Sequence, residues 1–172
     1  AGNIWSLIAN GNITNATNPT LNPITAQAVQ LTSITGSIGS PTGRVYVDTP
    51  SVTATANAAG QGIWLGYAGD LEVDGNISAV NGVIDLFATG NITNDVNPGG
   101  DTLVAQTVIL NSQNGSIGNS TNAINTDTAN LSANAANGSV YINNTGTSDV
   151  EIDGTQQAGN TYSVIANGSI LN

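Results

Sequence analysis

The chain has 172 residues, and its 11 acidic side chains face a single basic one, Arg44, for a formal net charge of -10. It contains no Cys, His, Met or Lys, which excludes disulfides, thiolate and imidazole metal sites, Schiff-base lysines and every His-based catalytic triad. One cation cannot neutralise a phosphate backbone, and ten net negative charges are repelled by anionic lipid heads, so nucleic acid and the membrane surface are poor partners, and with no apolar run near the roughly 18 residues of a span no membrane insertion is expected.

Taken in chain order, the predicted elements are short strands in which small or apolar side chains recur at every second position. The first inward series is Trp5, Leu7, Ala9, Gly11 and Ile13. Val52, Ala54 and Ala56 follow, then Ile63 and Leu65, then the even positions from Ile84 to Ile92, with Asp85, Thr89 and Asn91 at odd ones. Leu131, Ala133 and Ala135, then Val140 and Ile142, lead to a final series of Tyr162, Val164, Ala166, Gly168 and Ile170. A period of two places one set of side chains inside and the other outside. No stretch holds a 3.6 period, and the prolines at 19, 23, 41, 50 and 98 fall between the runs, where a missing N–H does not break a ladder.

The sequence repeats itself at an offset of 79. Gly11-Asn12-Ile13-Thr14-Asn15 returns as Gly90-Asn91-Ile92-Thr93-Asn94, Gly36-Ser37-Ile38-Gly39 as Gly115-Ser116-Ile117-Gly118, and Glu72-Val73-Asp74-Gly75 as Glu151-Ile152-Asp153-Gly154. The last ten residues match residues 6–15 at seven positions. The chain therefore reads as one continuous segment made of copies 3–81 and 82–160 and a partial third, 161–172. Within a copy, turn glycines at Gly11, Gly36, Gly62 and Gly75 mark four smaller units. A unit of about 20 residues makes one circuit of a β-solenoid, so the expected fold is all-β, a right-handed parallel β-helix of about eight or nine coils. The alternative for a repeat of this size is a string of tandem β-sandwich domains. Small inward residues favour the solenoid, whose narrow interior stacks like on like from coil to coil.

The pattern Leu/Val-x-Ala-x-Gly-x-Ile, the Gly-Ser-Ile-Gly turn and the Asn- and Thr-rich spacers resemble the repeat tract of filamentous-haemagglutinin-like bacterial exoproteins. The resemblance covers essentially the whole chain. It implies a right-handed parallel β-helix, export to the cell surface or medium, and a role as an adhesive or scaffolding shaft. No stretch matches the family's amino-terminal secretion module.

Three features carry the expectations about sites. Asp70, Glu72 and Asp74 alternate on one strand face, as do Asp149, Glu151 and Asp153; carboxylates so placed repel one another unless a hard cation such as Ca²⁺ sits among them, although three are fewer than its usual six to eight oxygens. A solvated acidic stripe is the simpler reading, and no metal or other cofactor is expected. Paired acids are also the minimum for glycoside hydrolysis, but these triplets recur at the sequence period and have only Arg44 as a cation, so no catalytic residue is assigned. Sequons such as Asn12-Ile13-Thr14 and Asn91-Ile92-Thr93 lie beside turn glycines, where Asn side chains satisfy backbone groups.

The third feature is aromatic. Trp64 and Tyr141 occupy equivalent places in the two copies with Tyr46 and Tyr67 near in sequence, while Ile8, Phe87 and Ile165 form a second outward series. If one copy makes four coils, equivalent rings repeat about every 19 Å along the axis, suited to lateral packing of shafts or to stacking on glycan rings. Neither end shows a polar cap, so each reads as continuing into flanking repeats of a larger chain or into another subunit, head to tail. The expected function is a non-enzymatic shaft of an extracellular adhesin or filament, and the alternative is a carbohydrate-binding module.

Overall fold

The computed structural model describes residues 2–15, 23–95 and 101–172, and these form β-strands joined by turns, with no helix among them. In chain order the strands are β1 (Ile4–Ala9), β2 (Ile24–Thr25), β3 (Ala28–Ser33), β4 (Val45–Asp48), β5 (Val52–Ala56), β6 (Ile63–Tyr67), β7 (Leu71–Ala88) and β8 (Ile92–Asn94). They continue as β9 (Thr102–Ser112), β10 (Ile124–Asp127), β11 (Asn130–Ala135), β12 (Val140–Asn144), β13 (Val150–Ile152), β14 (Gln157–Ala158), β15 (Tyr162–Ala166) and β16 (Ile170–Leu171). Every pairing between these strands is parallel. Parallel neighbours need a crossover, and here each crossover is the rest of a coil. The fold is a parallel β-helix.

Three ladders of paired residues run along it. The first climbs through Leu7, Leu31, Ala54, Ile77, Leu103, Thr126, Asn144 and Ala166, seven steps in all. The second passes through Ile13, Ile38, Ile63, Ile84, Val108, Leu131 and Ile152. The third links Leu71, Ile92, Ile117, Val140 and Tyr162. Seven turns replace the expected eight or nine, because a coil that visits three sides averages about 23 residues, more than the 20 of the minimal circuit.

The longer coil has a consequence for the sequence repeat. Leu7 stands on the first ladder, but its counterpart Leu86 pairs with Leu65 and Leu110 on the second side. Ile13 stands on the second ladder and its counterpart Ile92 on the third. An offset of 79 residues is therefore about three and a third turns, and each copy is rotated by one side against the one before it.

The core is the inside of the three ladders. Leu31, Ile38, Ile63, Leu65, Ile84, Leu86, Ile92, Leu110 and Ile117 are fully buried, as are Val52, Leu131 and Val140. Each such aliphatic contributes about 1.5–3 kcal/mol of transfer free energy. The expected inward series at 52–56, 63–65, 84–92 and 131–142 all point inside. Trp5, Tyr162 and Ile170 share the inward parity but stay exposed, because they stand on the first and last coils and have a neighbour on one side only. Pro23, Pro41 and Pro50 lie outside strands, while Pro19 and Pro98 fall outside the described residues.

Candidate functional site

Polar side chains at one corner clip successive coils together. Asp70 Oδ1 accepts from the Asn91 amide N–H at 2.6 Å, and Asn91 Oδ1 accepts from that of Ser116 at 2.8 Å. Ser116 Oγ accepts from the Ser139 N–H at 3.0 Å, and Ser139 Oγ from the Thr161 N–H at 3.4 Å. The column satisfies amides that the turns leave out of the sheets. A shorter version joins Asn12, Ser37 and Gly62 in the preceding copy. Turn Asn side chains do satisfy backbone groups, but the column mixes Asp, Asn and Ser, and it occupies the amide of the sequon at Asn91 at both ends.

The two acidic triplets part company. Asp70 belongs to the corner column, and Asp149 plays the same part by accepting from the Ser169 N–H at 2.7 Å, which holds its carboxyl below the usual range. The carboxylates that do converge are Asp74, Asp95 and Asp101, with oxygens within 4.8 Å of one another. Glu72 is next to them: burial first, then the charges of Asp95, Asp74 and Asp101, push its carboxyl up. Asp101 is also raised, by burial above all, against a hydrogen bond from the Gly75 amide that lowers it. Sequence reading missed this group because Asp95 and Asp101 come from the next coil. The pairing of Glu72 with Thr93 and Val73 with Asn94 brings that coil alongside.

The aromatic residues divide among sides. Tyr46, Gly66, Phe87, Asn111 and Asn134 form one outward row on the second side. Trp64 is outward on the same side, in register with Asp85. Two of these rings fill space left by glycines: a Cβ at Gly62 would stand 2.2 Å from Trp64, and one at Gly66 would stand 2.7 Å from Tyr46. Tyr67 is not outward. It pairs with Val47 and Ala88, packs against the core, and donates from its hydroxyl to Asp48 at 3.1 Å. Burial and the Asp48 carboxylate raise its pKa.

Tyr141 pairs with Ser163 on the third side, away from Trp64. Ile8, Phe87 and Ile165 likewise form no single series: Phe87 pairs with Gly66 on the second side, while Ile8 and Ile165, beside the first ladder, pair with Thr32 and Asn143 in two different rows. The aromatic repeat every 19 Å along one face is thus corrected: a copy of three and a third turns sends each equivalent residue to the next side.

At the centre of the aromatic row lies the chain's only basic side chain. Arg44 Nη2 meets Asp85 Oδ2 at 2.7 Å, and Arg44 Nη1 donates to the Asp85 carbonyl at 3.0 Å. The guanidinium carbon lies 5.8 Å from the centre of the Phe87 ring. The group spans three coils and encloses the pair, whose side chains are 20% and 11% exposed. Arg44 was available as the lone cation in the sequence, but its partner lies 41 positions away and no local spacing marks it.

A shallow groove follows another corner across four coils, from Val80 and Asn81 past Ala105 and Thr128 to Ser148. Comparison with protein-family models, with curated proteins and with solved structures finds no match to this chain.

Proposed function

We propose that the chain is a non-enzymatic structural shaft of an extracellular or cell-surface adhesin or filament. The observation that carries this reading is the first ladder, which climbs seven steps from Leu7 to Ala166. Stacked parallel coils advance about 4.8 Å per turn, so this ladder is a rod axis about 34 Å long. A structure of this kind holds two things apart at a fixed distance. Its length is set by the number of coils, and each coil contacts only its neighbours.

The chemistry of the wall supports the same role. The corner column and the Arg44–Asp85 clamp tie coil to coil, and the Trp64 and Tyr46 rings are spent covering glycines. The resemblance to filamentous-haemagglutinin-like repeat tracts adds the extracellular setting and the adhesive task. The test is length: inserting one further copy of residues 82–160 should extend the particle by about 16 Å at constant cross-section, measured by small-angle X-ray scattering. A particle that thickens, or one that gains a separate globular bead, overturns the shaft.

A further inference from the structure

The groove on the wall lies at the corner where the first side turns into the second. Ser78, Val104 and Asp127 are in register on the first side, and Val83, Thr107 and Asn130 on the second. Between Ala79 and Val83 the chain has three residues where the next coil has one, Gln106. The surplus turns Asn81 to a φ of 56° and leaves Val80 half exposed. Beside this bulge the groove runs from Val80 past Ala105 and Asp127 to Ser148, three coil steps or about 14 Å at about 4.8 Å per step. Coils lie on both sides of it: the Gly60 amide donates to the Val80 carbonyl, and the Asn167 side chain to the Thr145 carbonyl.

Each of the four coils supplies one exposed polar side chain to the groove, Asn81, Gln106, Asp127 and Ser148. None of these side chains makes a hydrogen bond to another described residue. The same residue types in the column of Asp70, Asn91, Ser116 and Ser139 are all committed to backbone amides. One corner thus uses its polar side chains to hold the fold, and the other presents them along an apolar floor of Val80 and Ala105. A concave strip with an apolar floor and a few convergent polar groups is the usual composition of a ligand site.

Charge and spacing restrict what fits. Asp127 is the one charged side chain in the groove. Arg44, the chain's only base, is held by Asp85, so an anionic ligand finds no counter-charge and meets the field of a net charge of -10. A cationic ligand is drawn in, and a second copy of this chain cannot supply that cation. The polar groups repeat once per coil, about every 4.8 Å. A sugar ring linked through its 1 and 4 positions advances by nearly that length, with hydroxyls at its rim and a C–H face for the floor. An extended peptide advances about 3.3 Å per residue and falls out of step within the groove.

We propose that this groove binds a linear chain of amino sugars along the solenoid axis, one ring per coil. An ammonium group meets Asp127, and sugar hydroxyls meet the carboxamides of Asn81 and Gln106 and the hydroxyl of Ser148. The inference goes beyond the shaft reading and does not rest on it, since length is set by the number of coils and binding by one corner.

The experiment titrates the β-1,4-linked trimer of glucosamine into the full, nitrogen-labelled chain and follows it by NMR. The expected result is saturable shifts of the Asn81 and Gln106 side-chain amides and of the Thr128 and Ser148 backbone amides. Asp127→Asn weakens binding about tenfold or more, the effect of losing a hydrogen bond to a charged group. Gln106→Ala weakens it about fivefold. Both side chains bond nothing within the protein, so both variants keep the fold by circular dichroism. Asp74→Asn removes one charge from the acid group outside the groove and binds like the parent chain. No saturable shift at those residues, equal binding of the N-acetylated trimer or of the glucose trimer, or unchanged affinity in Asp127→Asn each overturns the proposal. Trilysine that occupies the groove as tightly as the sugar also overturns it, because charge alone is then what the groove reads. Failure of binding while an inserted copy of residues 82–160 still lengthens the particle leaves the shaft standing.

Discussion

Replacing Arg44 by Met should be among the most damaging single changes on the outer wall. Asp85 is 8% exposed and has its Oδ2 and its carbonyl on the guanidinium, while its Oδ1 has no hydrogen-bond partner. Met fills much of the same volume over Phe87 but leaves the carboxylate enclosed beside Trp64 with nothing to balance it. Breaking one side of a buried ion pair costs about 3–5 kcal/mol, a large part of the 5–15 kcal/mol by which a typical domain is stable. Urea unfolding followed by circular dichroism should show the midpoint lowered by more than about 1 M with the slope unchanged. The double change Arg44→Met with Asp85→Leu removes both charges, and an apolar replacement of a buried pair is about neutral, so most of the loss should return. A single-variant loss below about 1 kcal/mol is the behaviour of an exposed ion pair; it would refute the claim that Arg44 is a clamp.

Asn91→Ala removes both the acceptor for the Ser116 N–H and a donor to Asp70, and should cost about 1–3 kcal/mol in the same unfolding experiment. Gly118→Ala places a Cβ 2.5 Å from the Tyr141 carbonyl at a residue with φ of 63°, so the melting temperature should fall by the equivalent of more than about 1 kcal/mol. Leu86→Ala empties a fully buried position on the second side and should cost about 2–5 kcal/mol. Acid conditions act with a definite sign. Glu72 and Asp101 are raised, so the native state keeps their protons where the unfolded chain has lost them, and stability falls as pH rises from the ordinary value of 4.5 for Glu72 through its raised one. Asp149 is lowered, so its contribution is present above 3.8 and is lost as pH falls below it. At low salt the melting temperature should therefore rise as the pH is lowered from neutral through the raised Glu72 value towards its ordinary 4.5. Asp74→Asn should flatten that rise more than the remote Asp127→Asn does, and equal flattening would show that only total charge matters.

Strand positions and the inside of the solenoid were legible because period two is a local signal: the run from Ile84 to Ile92 shows its buried face directly. The rotation of the copies was not, since it depends on the residues used per coil. The steps vary, from 18 between Thr126 and Asn144 to 26 between Ile77 and Leu103, and corner residues absorb the difference without a fixed motif. Tyr67 misled for a related reason. A tyrosine reads as an outward aromatic, but it takes the inward place that Asn144 holds in the next copy, where Asn144 bonds Thr126 and Thr128 inside the core. The Asp74, Asp95 and Asp101 group and the Arg44–Asp85 pair each join residues of different coils. Their geometry follows from register, which the sequence of one coil does not contain.

The most direct test of the stacked-coil fold is a distance between two points on one outward row. Thr32, Thr55, Ser78, Val104 and Asp127 follow one another in register across successive coils, and the absence of native Cys allows a spin label at each end. Double electron–electron resonance between Thr32→Cys and Asp127→Cys should give a narrow distribution near 19 Å, four steps of about 4.8 Å. A mean beyond about 30 Å, as expected for labels on separate packed domains, would contradict the parallel β-helix.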